Sequence, residues 1–141
     1  MGGVSRVLVT RNRKTEGLGL PLPAGRLVLF GAGRQRPILL GEGYVDDKAI
    51  GEDVEIEIGS ATGIVSRSMV TQGSSEKERI VDLVVTNDRS EPVRFEAELE
   101  EAGGKLSSAT RLGRRDGRPL WAVTVPANGS AKLRYRIRMP D

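Results

Sequence analysis

Neither cysteine nor histidine occurs anywhere in this 141-residue chain. Without cysteine there is no disulfide, no thiolate metal site and no thiol nucleophile, and the redox compartment leaves no mark on the sequence. Without histidine, the commonest metal ligand and the usual base of a nucleophilic triad are both missing, which removes most common hydrolase mechanisms. Aromatic residues make up only 4% of the chain, so a core has to be built chiefly from Val, Leu, Ile and Ala. Long apolar runs are lacking too. The greasiest windows, Leu27-Val28-Leu29-Phe30 and Ile38-Leu39-Leu40, are strand-sized, far short of a bilayer span. No apolar stretch follows residues 1–6, so the start does not read as a signal peptide, and the chain is either cytoplasmic or a piece of a longer precursor.

What is present is a period of two. Asp53-Val54-Glu55-Ile56-Glu57-Ile58, Arg94-Phe95-Glu96-Ala97-Glu98-Leu99-Glu100 and Lys132-Leu133-Arg134-Tyr135-Arg136-Ile137-Arg138-Met139 alternate charge with apolar side chains. Successive side chains of a strand point to opposite faces, so each segment reads as a strand with one wet and one buried face. The composition, 38% hydrophobic and 29% charged, is that of an ordinary folded domain. Eighteen Gly and seven Pro punctuate many short segments. Residues 1–141 fit one domain, long enough to bury a core without covalent staples.

Further strands are predicted at residues 4–10, 26–31, 38–45, 64–71, 80–86 and 120–125, with a weak segment at 106–112. Residues 80–86 are the most apolar and β-branched, which suggests a central place in a sheet. Residues 17–25, rich in Gly and Pro, read as an extended crossing loop. Gly33-Arg34-Gln35-Arg36-Pro37, Asn87-Asp88-Arg89-Ser90-Glu91-Pro92, Asp116-Gly117 and Asn128-Gly129 read as turns, the last as a hairpin. Nine or ten short strands with no helical period predict an all-β fold, a two-layer antiparallel β-sandwich of immunoglobulin type. A closed barrel satisfies the same period, but alternating strands that each need a dry face favour two opposed sheets about 10 Å apart.

The formal charge is +3 and the pI near 9.6, yet both signs are interspersed. A run of basic residues near the start (Arg6, Arg11, Arg13, Lys14, Arg26, Arg34 and Arg36, against Glu16) reads as a solvated rim, because the aromatic platforms of single-strand nucleic-acid binders are missing. Lys132, Arg134, Arg136 and Arg138 form a basic ladder along one strand face. Beside an acidic strand they would make cross-strand ion pairs; unpaired, they are a candidate anion-binding face. Asp46, Asp47, Glu52 and Asp53, together with the strand glutamates Glu55, Glu57, Glu96, Glu98 and Glu100, are the candidate acid and base of a hydrolase, and the loop acids are candidate oxygen ligands for Ca²⁺, although their spacing matches no EF-hand loop and a sugar cleft wants more aromatic side chains. Gly17-Leu18-Gly19 and Gly31-Ala32-Gly33 lack the third glycine of a dinucleotide fingerprint and precede no helix. Trp121 reads as a core anchor beside Leu133 and Ile137, and Asp82 is the odd polar residue of its strand, facing solvent or bonding a backbone donor.

The stretch Lys14-Thr15-Glu16-Gly17-Leu18-Gly19-Leu20-Pro21-Leu22-Pro23-Ala24-Gly25-Arg26-Leu27-Val28-Leu29-Phe30 resembles the G-L-G-x-P-L-P-x-G segment of the C-terminal β-domain of the DUF4139 (mucoidy-inhibitor-like) bacterial proteins. Leu39-Leu40-Gly41-Glu42, residues 51–59 and residues 121–138 resemble that domain's hairpin return, its G-E-x-V-x-I strand and its W-x-V-x-V-P-A-x-G ending. The resemblance spans nearly the whole chain but only the final third of typical members, which carry an N-terminal domain and a coiled coil and are often exported. It implies an envelope association; no catalytic residues are established for the family, so none are carried over, and no cofactor is expected. The residues and the resemblance together lead to a non-catalytic interaction or structural module whose partner is a protein or envelope component rather than nucleic acid. The alternative is a binding module for carbohydrate or an anionic polymer through Lys132, Arg134, Arg136 and Arg138; the third reading is a hydrolase using the loop carboxylates.

Overall fold

Alternating side chains become alternating faces at residues 53–58 and 129–138 of the computed structural model, which describes residues 4–31 and 38–141. Among the described residues the fold is all-β, built from several antiparallel sheets and a single 3-10 turn at Lys14–Glu16. The strands are β1 (Ser5–Arg11), β2 (Gly25–Gly31), β3 (Ile38–Val45), β4 (Asp53–Ser60), β5 (Ile64–Gln72), β6 (Glu78–Asn87), β7 (Val93–Glu98), β8 (Lys105–Ser107), β9 (Gly113–Arg115), β10 (Arg118–Val125) and β11 (Gly129–Arg138). No helix among the described residues is long and apolar enough to cross a membrane. The chain divides into two compact units, Val4–Ala61 and Thr62–Asp141.

In Val4–Ala61, β1 pairs with β4 and β2 with β3, both antiparallel. Register puts Leu8 opposite Ile56 and Thr10 opposite Val54, while Val7 and Val9 lie opposite Glu57 and Glu55 on the other face. Val45, Val54 and Ile56 form the buried cluster, with Leu22, Leu27 and Ile58 against it. Strand β3 lies unusually close to β4. A Cβ added at Gly43 would sit 2.5 Å from the Glu57 carbonyl oxygen and the Ile56 Cγ2, and one at Gly41 would sit 2.6 Å from the Ile58 carbonyl oxygen. The alternating strand can therefore be covered by backbone, and glycine is what permits it.

The crossing loop expected at 17–25 is tied down by a single antiparallel bridge, Leu22 to Lys48, and by Asn12. Asn12 is fully buried. Its Nδ2 donates to the carbonyls of Leu20 at 2.8 Å and Ala49 at 3.0 Å, and its Oδ1 accepts from the Gly19 amide at 2.9 Å. Its own backbone N–H and C=O bond Glu52 and Gly51. One amide side chain thus joins three stretches of loop, which is how an irregular segment satisfies its polar groups away from water. The turn expected at Gly33-Arg34-Gln35-Arg36-Pro37 lies outside the described residues, Arg34 and Arg36 with it.

In Thr62–Asp141 one sheet has the order β5-β6-β11-β8 and the other β7-β10-β9. Strand β6 lies between β5 and β11, the central place its β-branched composition suggested. Its Val81 and Val85, with Ile64, Leu133 and Ile137, are buried on one face of the first sheet; Phe95, Trp121 and Val125 are buried on the second. Phe95 and Trp121 meet edge to face, centroids 5.8 Å apart at 73°, an arrangement worth about 0.5–1.5 kcal/mol beyond area burial.

Two turn signals part company here. Asp116-Gly117, both at positive φ, closes a two-residue hairpin between β9 and β10, as the dipeptide predicts. Asn128-Gly129 is not a hairpin: β10 belongs to one sheet and β11 to the other, so this turn carries the chain between sheets. Asn87, fully buried, fastens that corner. Its Nδ2 donates to the Glu91 carbonyl at 2.8 Å and to the Pro126 carbonyl at 3.2 Å, and its Oδ1 accepts from the Arg89 amide two residues on, an Asx turn.

Candidate functional site

The basic ladder is an outer face of the sheet. Along β11, Ala131, Leu133, Tyr135 and Ile137 turn inward, and Lys132, Arg134, Arg136 and Arg138 are exposed. Its neighbours are β6 and β8, not the strongly acidic β4 or β7, so the expected pairing with an acidic strand takes another form. The carboxylates come from β6, the apolar strand. Arg134 lies opposite Asp82 in register and grips it with both forks, Nε to Oδ1 at 2.7 Å and Nη2 to Oδ2 at 3.0 Å. The hydrogen bond from Arg134 outweighs partial desolvation, with the opposite charge adding to it, and holds the Asp82 carboxyl below its ordinary value. Arg136 reaches diagonally to Glu78 at 3.1 Å. Lys132 and Arg138 make no ion pair with a described carboxylate.

The acidic faces are occupied in the same way. Glu96 is flanked by Arg115 at 2.6 Å and Arg94 at 3.1 Å. Burial pushes its carboxyl up, but the hydrogen bonds from those two guanidiniums leave it lowered overall. Glu98 lies 3.8 Å from Arg118, Glu57 accepts the Ser5 hydroxyl at 2.7 Å, and Asp53 pairs with Arg11 at 2.7 Å.

The loop carboxylates also hold structure. Asp47 accepts the Ala24 amide at 2.6 Å and Glu52 accepts the Ala49 amide at 2.6 Å. They border an open groove of about 520 Å³ with Pro21, Leu22 and Pro23; Asp46 and Asp53 do not line it. The four predicted acids are thus not brought to one point. No group of three or more metal-ligating side chains stands together among the described residues.

A different surface emerges from strand register. On the outer face of β5, β6 and β11, Arg67 lies opposite Val84 on one side and Lys132 lies opposite it on the other. Val65, Met69, Asp82 and Thr86 complete a shallow depression of about 550 Å³ with a largely apolar floor. Sequence reading missed it, since Arg67 and Lys132 are far apart in the chain and only the pairing of three strands makes them neighbours. Neither the family models, the curated proteins nor the solved structures compared with the chain match it.

Proposed function

We propose that the protein is a non-catalytic interaction or structural module, an immunoglobulin-like β-sandwich similar to the C-terminal β-domain of DUF4139 proteins and associated with a bacterial envelope. The observation that carries this reading is the bidentate Arg134–Asp82 pair. A strand of alternating cations is a tempting ligand surface, yet Arg134 is already paired in bidentate fashion by a neighbouring strand, and Arg136 is likewise engaged by Glu78. Glu96, Glu98, Asp47 and Glu52 are similarly committed, which leaves their lone pairs serving the scaffold. Exposed pairs of this kind contribute roughly 0.2–1 kcal/mol each and discourage edge-to-edge aggregation. The motifs of residues 17–30 and 121–138 support the family likeness, and the envelope placement follows from that likeness.

A second reading is favoured by Lys132 and Arg138: the ladder as a receptor for an anionic polymer. Titration with dextran sulfate separates the two. A structural ladder predicts that Arg134→Gln with Arg136→Gln lowers the melting temperature and leaves any polymer affinity nearly unchanged. A receptor predicts binding that weakens steeply with ionic strength and is abolished by those substitutions at unchanged stability. Turnover of a glycoside that is lost in Asp47→Asn would favour the hydrolase instead.

A further inference from the structure

The row Arg67, Val84, Lys132 differs from the rest of the sheet's outer face. One row along, the Asp82 carboxylate is already gripped by Arg134. In this row no carboxylate is present, and no ion pair joins either cation to a described residue. The two cations are separated by two strand spacings, about 9–10 Å, within the joint reach of two long flexible side chains. Between them the floor is apolar: Val84 in the middle, Val65 beside Thr86 toward one end and Met69, 65% exposed, toward the other. The depression of about 550 Å³ falls in the range of small-ligand sites, roughly 300–1,000 Å³.

We infer that this shelf binds a small amphipathic anion, a flat apolar body bearing one carboxylate, sulfonate or phosphate group. The body covers Val65, Val84 and Met69, and the anionic group lies between the guanidinium of Arg67 and the ammonium of Lys132. Charge complementarity requires the anion, because these are the cations of the shelf that the protein does not neutralise itself. The short apolar floor, closed at one end by Thr86 and at the other by the Asp82–Arg134 pair, suits a single free molecule. A polyanion would follow the ladder, but the two cations next to Lys132 along it, Arg134 and Arg136, are engaged by Asp82 and Glu78 and break the row, and a membrane surface would meet too little apolar area to anchor it. The site deepens the module reading and rests on it; the two fail separately, since that reading is tested at Arg134 and Arg136 and this one at Arg67 and Lys132.

The test is a fluorescence titration of the folded full chain with 8-anilinonaphthalene-1-sulfonate, alongside its uncharged relative N-phenyl-1-naphthylamine and vesicles of phosphatidylglycerol. The expected result is saturable binding of one sulfonate probe per chain, weakened about tenfold by Arg67→Gln and again by Lys132→Gln, with melting temperatures unchanged. Arg67→Lys with Lys132→Arg keeps both charges and retains binding, Arg138→Gln leaves it alone, and the neutral probe binds at least about tenfold more weakly. Equal affinity for the two probes, full affinity in the double Gln variant, fluorescence that appears only as the protein unfolds, or binding to vesicles without binding to the free probe would each overturn the proposal.

Discussion

The two units of this chain solve the same problem with different means. Nine of the twelve buried hydrophobic side chains among the described residues belong to Thr62–Asp141. Eight of the ten exposed large hydrophobics, among them Val9, Phe30 and Tyr44, belong to Val4–Ala61. Thr62–Asp141 has a core in the usual sense, two sheets each contributing a dry face. Val4–Ala61 has three buried apolar residues and relies on Asn12 to bind its loops. Alternation in sequence promises one dry face per strand, but whether that face is covered by side chains, by backbone or by solvent depends on what the rest of the chain supplies.

Substitutions can sharpen this contrast or break it. The largest effect is expected at Leu133, 2% exposed in the centre of β11. Leu133→Ala should cost about 3–4 kcal/mol in urea unfolding, the lost transfer free energy plus a cavity in a packed core. Asn12→Ala comes next. It strands the Gly19 amide and the Leu20 and Ala49 carbonyls, so about 2 kcal/mol should be lost, and the hydrogen-exchange protection of Gly19 should fall while that of Val85 is kept. Equal loss of protection at Val85 would mean that the units do not differ as described.

A smaller effect follows from titration. The carboxyls of Asp82 and Glu96 are lowered in the folded protein, so their stabilisation is complete above the unfolded value near 4 and disappears as pH falls through the folded ones. The melting temperature should hold above about pH 5 and drop in acid. Asp82→Asn should lie below the parent at pH 7, by a margin that shrinks as pH falls below about 4, a difference a pair of thermal melts detects. Smallest of all, Val9→Thr, at 64% exposure on the face of β1 beside Glu55, should change stability by no more than about 0.5 kcal/mol.

Much of the fold was legible because a period of two is a local property. The segments at 53–58, 94–98 and 132–138 are strands with the faces their alternation assigns, residues 99, 100 and 139 of the expected segments falling outside them, and Asp116-Gly117 turns as the dipeptide dictates. Pairing was not legible, since register is a tertiary choice. Nothing in the alternation of β11 reveals that its partner carboxylates come from Asp82 and Glu78 on the most apolar strand, or that Asn128-Gly129 joins two sheets rather than two strands of one. Asn87 carried a readable signal, an Asx residue ahead of Pro92, whereas Asn12 followed a strand inside a charged stretch and looked like any polar turn. The shelf at Arg67 and Lys132 is the product of register alone, which is why side-chain spacing in sequence could not disclose it.

The most direct trial of the claim that this protein's charged ladders serve its scaffold is a double-mutant cycle on Arg134→Gln and Asp82→Asn, read by thermal unfolding at neutral pH. Mutual engagement predicts that each single change lowers the melting temperature and that the double variant is no worse than the worse single one. Strictly additive losses, or melts indistinguishable from the parent in all three variants, would contradict it.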